Sequence, residues 1–143
     1  MILFDDKKLV IQCHFMAYRL FYWVVCMINI LAIEAATPAC SVALSVDGIV
    51  SERHEVAPRR HTSLLFSYID ELLQTAGLSI SDIDLIACGV GPGSFMGVRL
   101  AVSVVQGLAF SKNIPVMGLS TLQILAQEAF IAHQITHATV MWD

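Results

Sequence analysis

Charge is what this chain has least of. Only 14% of its 143 residues are Asp, Glu, Lys or Arg, and the eight basic residues are outnumbered by twelve acidic ones, for a formal charge of −4. Phosphate backbones are held by clustered Lys and Arg, so this composition argues against the chain gripping nucleic acid alone; any RNA is expected to be held mainly by a partner. Cys13, Cys26, Cys40 and Cys88 form no Cys-x-x-Cys pair, which argues against a disulfide scaffold and for reduced, buried thiols in the cytoplasm. His133 and His137 stand four apart with no Cys or acidic ligand close by in sequence before Asp143. A metal centre needs three or four ligands, so none is expected.

Three familiar chemistries are missing from the one glycine-rich run, Gly89-Val90-Gly91-Pro92-Gly93-Ser94-Phe95-Met96-Gly97-Val98-Arg99. No Lys lies between Gly89 and Lys112, which rules out a phosphate-binding P-loop. A dinucleotide fingerprint needs glycine where Ser94 or Met96 stands, and a nucleophile elbow needs a residue between Gly93 and Ser94. The run joins a strand-like stretch, Ile83 to Cys88, to a helix-like one, Val98 to Phe110, with Ser94 placed as N-cap. Two readings stand: Gly91, Gly93, Ser94 and Gly97 form an anion-binding loop at a helix N-terminus, or the glycines let strand and helix pack closely.

Hydrophobic residues make up 57% of the chain, well above an ordinary soluble domain. Ile28 to Ile33 is apolar on both faces, as a central strand is. Cys40 to Val46 alternates, Asp47-Gly48 signals a type I′ turn, and Ile49 to Val56 carries enough charge to sit at an edge. A helix follows from Thr62 to Ala76, stopped by Gly77; then come a strand over Ile83–Cys88, the glycine run, the second helix, a short strand over Pro115–Gly118 and a third helix from Ser120 to about Phe130. Three antiparallel strands and two right-handed crossovers predict an α/β fold with a mixed five-stranded sheet, ordered 3-2-1-4-5 in chain numbering, with crossover helices on its faces. The second helix is apolar almost all round, its polar stripe being Arg99, Ser103 and Gln106. It must be deeply buried or shared with another chain, which makes Leu64, Leu65, Tyr68 and Leu72 of the first helix and Val98, Val102 and Val105 of the second candidate partner contacts.

Ile28 to Leu44 (with Glu34-Ala35-Ala36-Thr37-Pro38), Arg60-His61-Thr62-Ser63-Leu64-Leu65 and the Gly-Pro-Gly-Ser-Phe run to Arg99, in that order, closely resemble the TsaB (YeaZ) family. Glu34 and Met96 depart from its usual Asp and Thr. The resemblance covers Met27 to about Asp143. It implies an RNase H-like, actin-like ATPase half-domain and a role as a non-catalytic dimerisation subunit in making threonylcarbamoyladenosine in tRNA. It also implies a TsaD-like catalytic subunit and a TsaE-like ATPase as partners, homodimerisation as an option, contact with tRNA only through the complex, no cofactor and no catalytic residue. Against the catalytic subunit it implies, the first crossover helix lacks a His-x-x-x-His pair, and the turn Glu34–Ala39 has no glycine to wrap a phosphate. Alternatives are a phosphotransferase or glycoprotease-like enzyme of the same superfamily, with Ser94 and His61 as nucleophile and base, or an inactive fragment.

Residues 1–26 read as a prefix outside the domain. An aromatic-rich run, Phe15 to Val25, is broken by Arg19 and continues into a strand that the sheet needs, so the expected reading is translation from Met27 rather than a membrane anchor. Residues 27–137 form the expected N-terminal half-domain. Residues 138–143 are the expected start of a second.

Overall fold

The computed structural model describes residues 28–56, 60–133 and 139–141. Residues 1–26, Met27, Pro58 and His137 lie outside these, and with them the expected prefix and its boundary. Five strands form one sheet in the order β3-β2-β1-β4-β5, as the sequence pattern predicts. β1 (Ile30–Glu34), β2 (Ala39–Val46) and β3 (Ile49–Val56) run antiparallel to one another, while β4 (Leu85–Gly89) and β5 (Val116–Leu119) add in parallel beyond β1.

Local chemistry explains the ends of these elements. Asp47 and Gly48 both take positive φ, 51° and 77°, as a type I′ hairpin turn requires. β1 begins at Ile30 rather than Ile28 because Asn29 is tied to the segment before β4: its N–H donates to Asp84 Oδ2 at 2.8 Å, and its side-chain amide donates to Asp82 O at 2.8 Å. The same clasp delays β4 to Leu85. The preceding Ile80–Asp82 forms a 3₁₀ turn in which the N–H and hydroxyl of Ser79 both donate to Asp82 Oδ2, at 2.8 and 2.7 Å. Those bonds hold the Asp82 carboxyl below its usual pKa.

Helix α1 (His61–Ala76) ends on Gly77 at φ 68°. Helix α2 (Phe95–Lys112) starts three residues before the expected Val98, directly after the Ser94 cap. Helix α3 (Thr121–His133) runs beyond Phe130. Thr139 to Met141 are in no strand, and the rest of the expected start of a second half lies outside the described residues.

α1 and α2 both cover the same face of the sheet. There Leu31, Ile33, Val42, Leu44, Ile86 and Cys88 meet Leu65, Ile69 and Leu72 of α1 and Ala101, Val104 and Val105 of α2. The reverse face carries a smaller buried cluster, Ile30, Ala32, Ala43 and Ala87. β3 forms one edge, as its charges predict, and Arg53 ties it to α1 through Glu71 at 2.8 Å.

Leu65 is fully buried in this core, so Leu65→Ala should cost about 2–5 kcal/mol of folding free energy. The exposed edge substitution Val56→Ala should stay within about 0.5 kcal/mol. Urea unfolding of the two variants beside the parent checks both values.

Candidate functional site

The glycine run lies where β1, β4 and the start of α2 converge, and its close contacts are with the chain's own β1–β2 turn. Glu34, at the end of β1, is buried and turns its side chain back on that turn, with Oε1 accepting from the Ala36 N–H at 2.5 Å. Oε2 occupies the space that a Cβ on Gly89 would need. On the other side of the turn the contacts are carbonyl oxygens. Ala36 O accepts from the Ser94 N–H at 2.6 Å and fills the place of a Gly93 Cβ, while Ala35 O fills the place of a Gly97 Cβ.

These contacts bear directly on the loop's chemistry. The Ser94 hydroxyl caps α2 by accepting from the Gly97 N–H at 3.3 Å, as expected of an N-cap. Two of the amides that an anion would use at this helix start, those of Ser94 and Gly97, are therefore already bonded within the chain. Gly91, at φ 91°, turns the loop so that its carbonyl accepts from the Thr121 N–H at 2.9 Å, linking it to α3. The close-packing reading accounts for Gly89, Gly93 and Gly97. Glu34 likewise makes a capping contact to the turn.

Cys88 lies beside this buried carboxylate. Burial first, then Glu34, pushes its thiol pKa up to about 11, and burial followed by Glu55 does the same for Cys40. Both thiols are protonated at neutral pH and chemically quiet. His61 sits at the start of α1 with Nε2 3.2 Å from Pro38 O. That contact ties His61 to the β1–β2 turn.

The candidate partner contacts divide. Leu64, Leu65 and Leu72 of α1 and Val105 of α2 are buried against the sheet and are corrected to core residues: on α1 the exposed polar side, Ser67, Asp70, Glu71 and Gln74, marks the leucine stripe as the inward one, whereas α2 is apolar nearly all round and spacing alone does not reveal which side meets the sheet. Tyr68, Val98 and Val102 are half-buried, and the Tyr68 hydroxyl donates to Glu55 Oε2 at 3.2 Å. The side chains that do face outward are Phe66 on α1 and Phe95, Met96 and Phe110 on α2, Phe110 being 92% exposed. Sequence reasoning named Arg99, Ser103 and Gln106 as the polar stripe but missed these apolar side chains, although Met96 and Phe110 continue the same three-four spacing at its two ends and all five residues are exposed. That spacing is the signal that could have found the outer stripe.

Comparison with known proteins converges on one group. Residues 34–142 match the family model described as TsaD, tRNA N6-adenosine threonylcarbamoyltransferase. The tRNA threonylcarbamoyladenosine biosynthesis protein TsaB of Escherichia coli (strain K12) is 47% identical over 115 residues, which cover 80% of this chain and 50% of that protein. Its counterpart in Haemophilus influenzae is 41% identical over 116 residues, covering 81% and 49%. The solved structure of YeaZ from Pseudomonas aeruginosa aligns with a TM-score of 0.72 at 47% identity, over 76% of this chain and 50% of its own. The chain belongs to the TsaB (YeaZ) family. It spans about half the length of the curated relatives it matches, and its sheet is the actin-like, RNase H-like half-domain expected of the family.

Two predictions test this site. Gly97→Ala drives a Cβ into the Ala35 carbonyl and should destabilise by about 1–3 kcal/mol or more, whereas a Cβ at Gly107, within α2, meets nothing, so Gly107→Ala should stabilise by about 0.5–1 kcal/mol; thermal melts decide the signs. With both pKa values raised to about 11, Cys40 and Cys88 should escape thiol labelling at pH 8 in native protein and react after denaturation, as read by peptide mass mapping.

Proposed function

We propose that this chain serves as a non-catalytic dimerisation subunit in the formation of threonylcarbamoyladenosine in tRNA, supporting a TsaD-like transferase. A TsaE-like ATPase completes the assembly, tRNA is reached through the complex, and the setting is the cytoplasm. The observation that carries this reading is the contact between the β1–β2 turn and the glycine run. A phosphate at that point would need amides, yet the turn presents the carbonyls of Ala35 and Ala36 and the loop amides of Ser94 and Gly97 are bonded internally. The family match includes the transferase description, and that activity would require nucleotide to be held. A loop spent on internal packing favours the supporting role.

The outward sides of α1 and α2 supply what a supporting subunit needs. Phe66, Met96 and Phe110 are 50%, 72% and 92% exposed, and apolar anchors of this size dominate binding energy where a partner covers them.

The test is calorimetric titration of the chain with the TsaD-like protein of the same cell, and separately with ATP. Saturable binding of the protein partner is expected, weakened at least about tenfold, or ~1.4 kcal/mol, by Phe110→Glu; negligible ATP binding is expected. Tight ATP binding lost in Glu34→Ala, or absence of partner binding, would defeat the proposal.

A further inference from the structure

Burial divides the sulfur atoms of the described residues. Cys40 and Cys88 are closed off from solvent, with thiol pKa values pushed up to about 11, and it is the thiolate rather than the thiol that attacks a peroxide. At pH 7 only about one in ten thousand of either thiol is ionised. A thioether needs no ionisation, so among the described residues the sulfurs open to an oxidant are those of methionine. Met117 on β5 is half-buried, whereas Met96 and Met141 stand largely exposed.

Of those two, Met96 has neighbours that respond to oxidation. It lies in the first turn of α2 and, with His61, Thr62, Arg99 and Ser103, lines an open groove of about 870 Å³ between the N-terminal ends of α1 and α2. Arg99 follows Met96 by three positions, which makes the two side chains neighbours on the helix surface. The guanidinium rests on the Phe95 ring, 3.8 Å from its centroid, and makes no ion pair with any described residue. An oxygen added to the Met96 sulfur therefore has a cationic donor beside it. Met141 belongs to no helix or strand and lines no part of this groove.

Resting on the supporting-subunit reading above, we propose that Met96 is a reversible oxidation site, at which a peroxide converts the thioether to a sulfoxide and so lowers the affinity of the chain for its partner. One peroxide oxygen passes to Met96 Sδ. An S–O bond forms from a sulfur lone pair, the O–O bond breaks, the thioether is oxidised by two electrons, and hydrogen peroxide leaves as water. The product replaces an apolar, pliable side chain with a polar one. Its oxygen accepts from Arg99 and draws the guanidinium off the Phe95 ring, and covering that polar pair in an interface costs desolvation that the thioether does not. A methionine sulfoxide reductase reverses the change: the sulfoxide returns to thioether with release of water, while a dithiol is oxidised to the disulfide.

The experiment treats the full native chain with graded hydrogen peroxide, removes the peroxide, and locates added oxygen by peptide mass mapping. Dissociation constants with the untreated TsaD-like protein are then measured for the parent, Met96→Leu and Met141→Leu, each against its own untreated value, with circular dichroism confirming each fold. Met96 should gain one oxygen before Met117, Cys40 or Cys88 does. Affinity should fall about tenfold on treatment of the parent and of Met141→Leu, hold steady on treatment of Met96→Leu, and return in the parent after incubation with the reductase and a dithiol. Oxidation of Met117 ahead of Met96, unchanged affinity once Met96 is oxidised, or an equal loss in Met96→Leu overturns this inference and leaves the supporting role standing. A treated parent that has lost its fold overturns it as well, because the switch acts on folded protein. No binding by the untreated parent overturns both.

Discussion

The contact between Ala35–Ala36 and the start of α2 is the constraint from which the arrangement of this molecule follows. A strand turn and a helix N-terminus come together backbone to backbone, with Ala36 O bonded to Ser94 N at 2.6 Å and Ala35 O resting where any side chain at residue 97 would begin. Backbones approach this closely only where the Cβ is missing. One strong hydrogen bond thereby fixes the origin of α2, and the Ser94 hydroxyl, accepting from Gly97, fixes its first turn. The Glu34 carboxylate keeps the turn in shape by accepting from Ala36 N, at the cost of requiring glycine at 89.

Because α2 is anchored at its start, its direction over the sheet is set for its whole length. Eighteen residues at 1.5 Å each make a rod of about 27 Å, pressed on the sheet through Ala101, Val104, Val105 and Ala109. Small and β-branched residues on that inner side bring the helix low over β4. The outer side chains are consequently held in fixed order, and the entropy of arranging them is lost at folding rather than at binding. Such preorganisation favours association.

The sheet order was legible because its signals are local and redundant: Asp47-Gly48 fixes a hairpin, the charges of Ile49–Val56 mark an edge, and the Gly77 and Ser94 caps bound the helices. The start of β1 was not legible, since Asn29 leaves the strand to bond Asp82 and Asp84, residues more than fifty positions away. The site was half legible. The glycine run announces close approach but not what approaches, and only the fold shows that two alanine carbonyls fill the space. On α2 the apolar pattern runs nearly all round, and on α1 Phe66 falls among the polar residues of the outer side, so apolar character alone does not separate Leu65 from Phe66, its neighbour in sequence. One is fully buried and the other half exposed.

Closure of the loop and exposure of the helices belong to one physical trade. A half-domain that wrapped a phosphate would need its β1–β2 turn open and its amides free, leaving α2 less firmly tied at its N-terminus. Here the Ser94 amide is spent on the turn and the Gly97 amide on the Ser94 hydroxyl, so the cationic side chain at this end, Arg99, stands on the outward surface rather than in a cradle facing inward. Charge carried on a rigid, exposed helix acts on what arrives from outside, and its reach is about a Debye length, on the order of 8–10 Å at physiological salt. That distance is comparable to the 8–10 Å separation of packed helix axes, so an exposed charge on α2 acts over about the range of a single layer of packing.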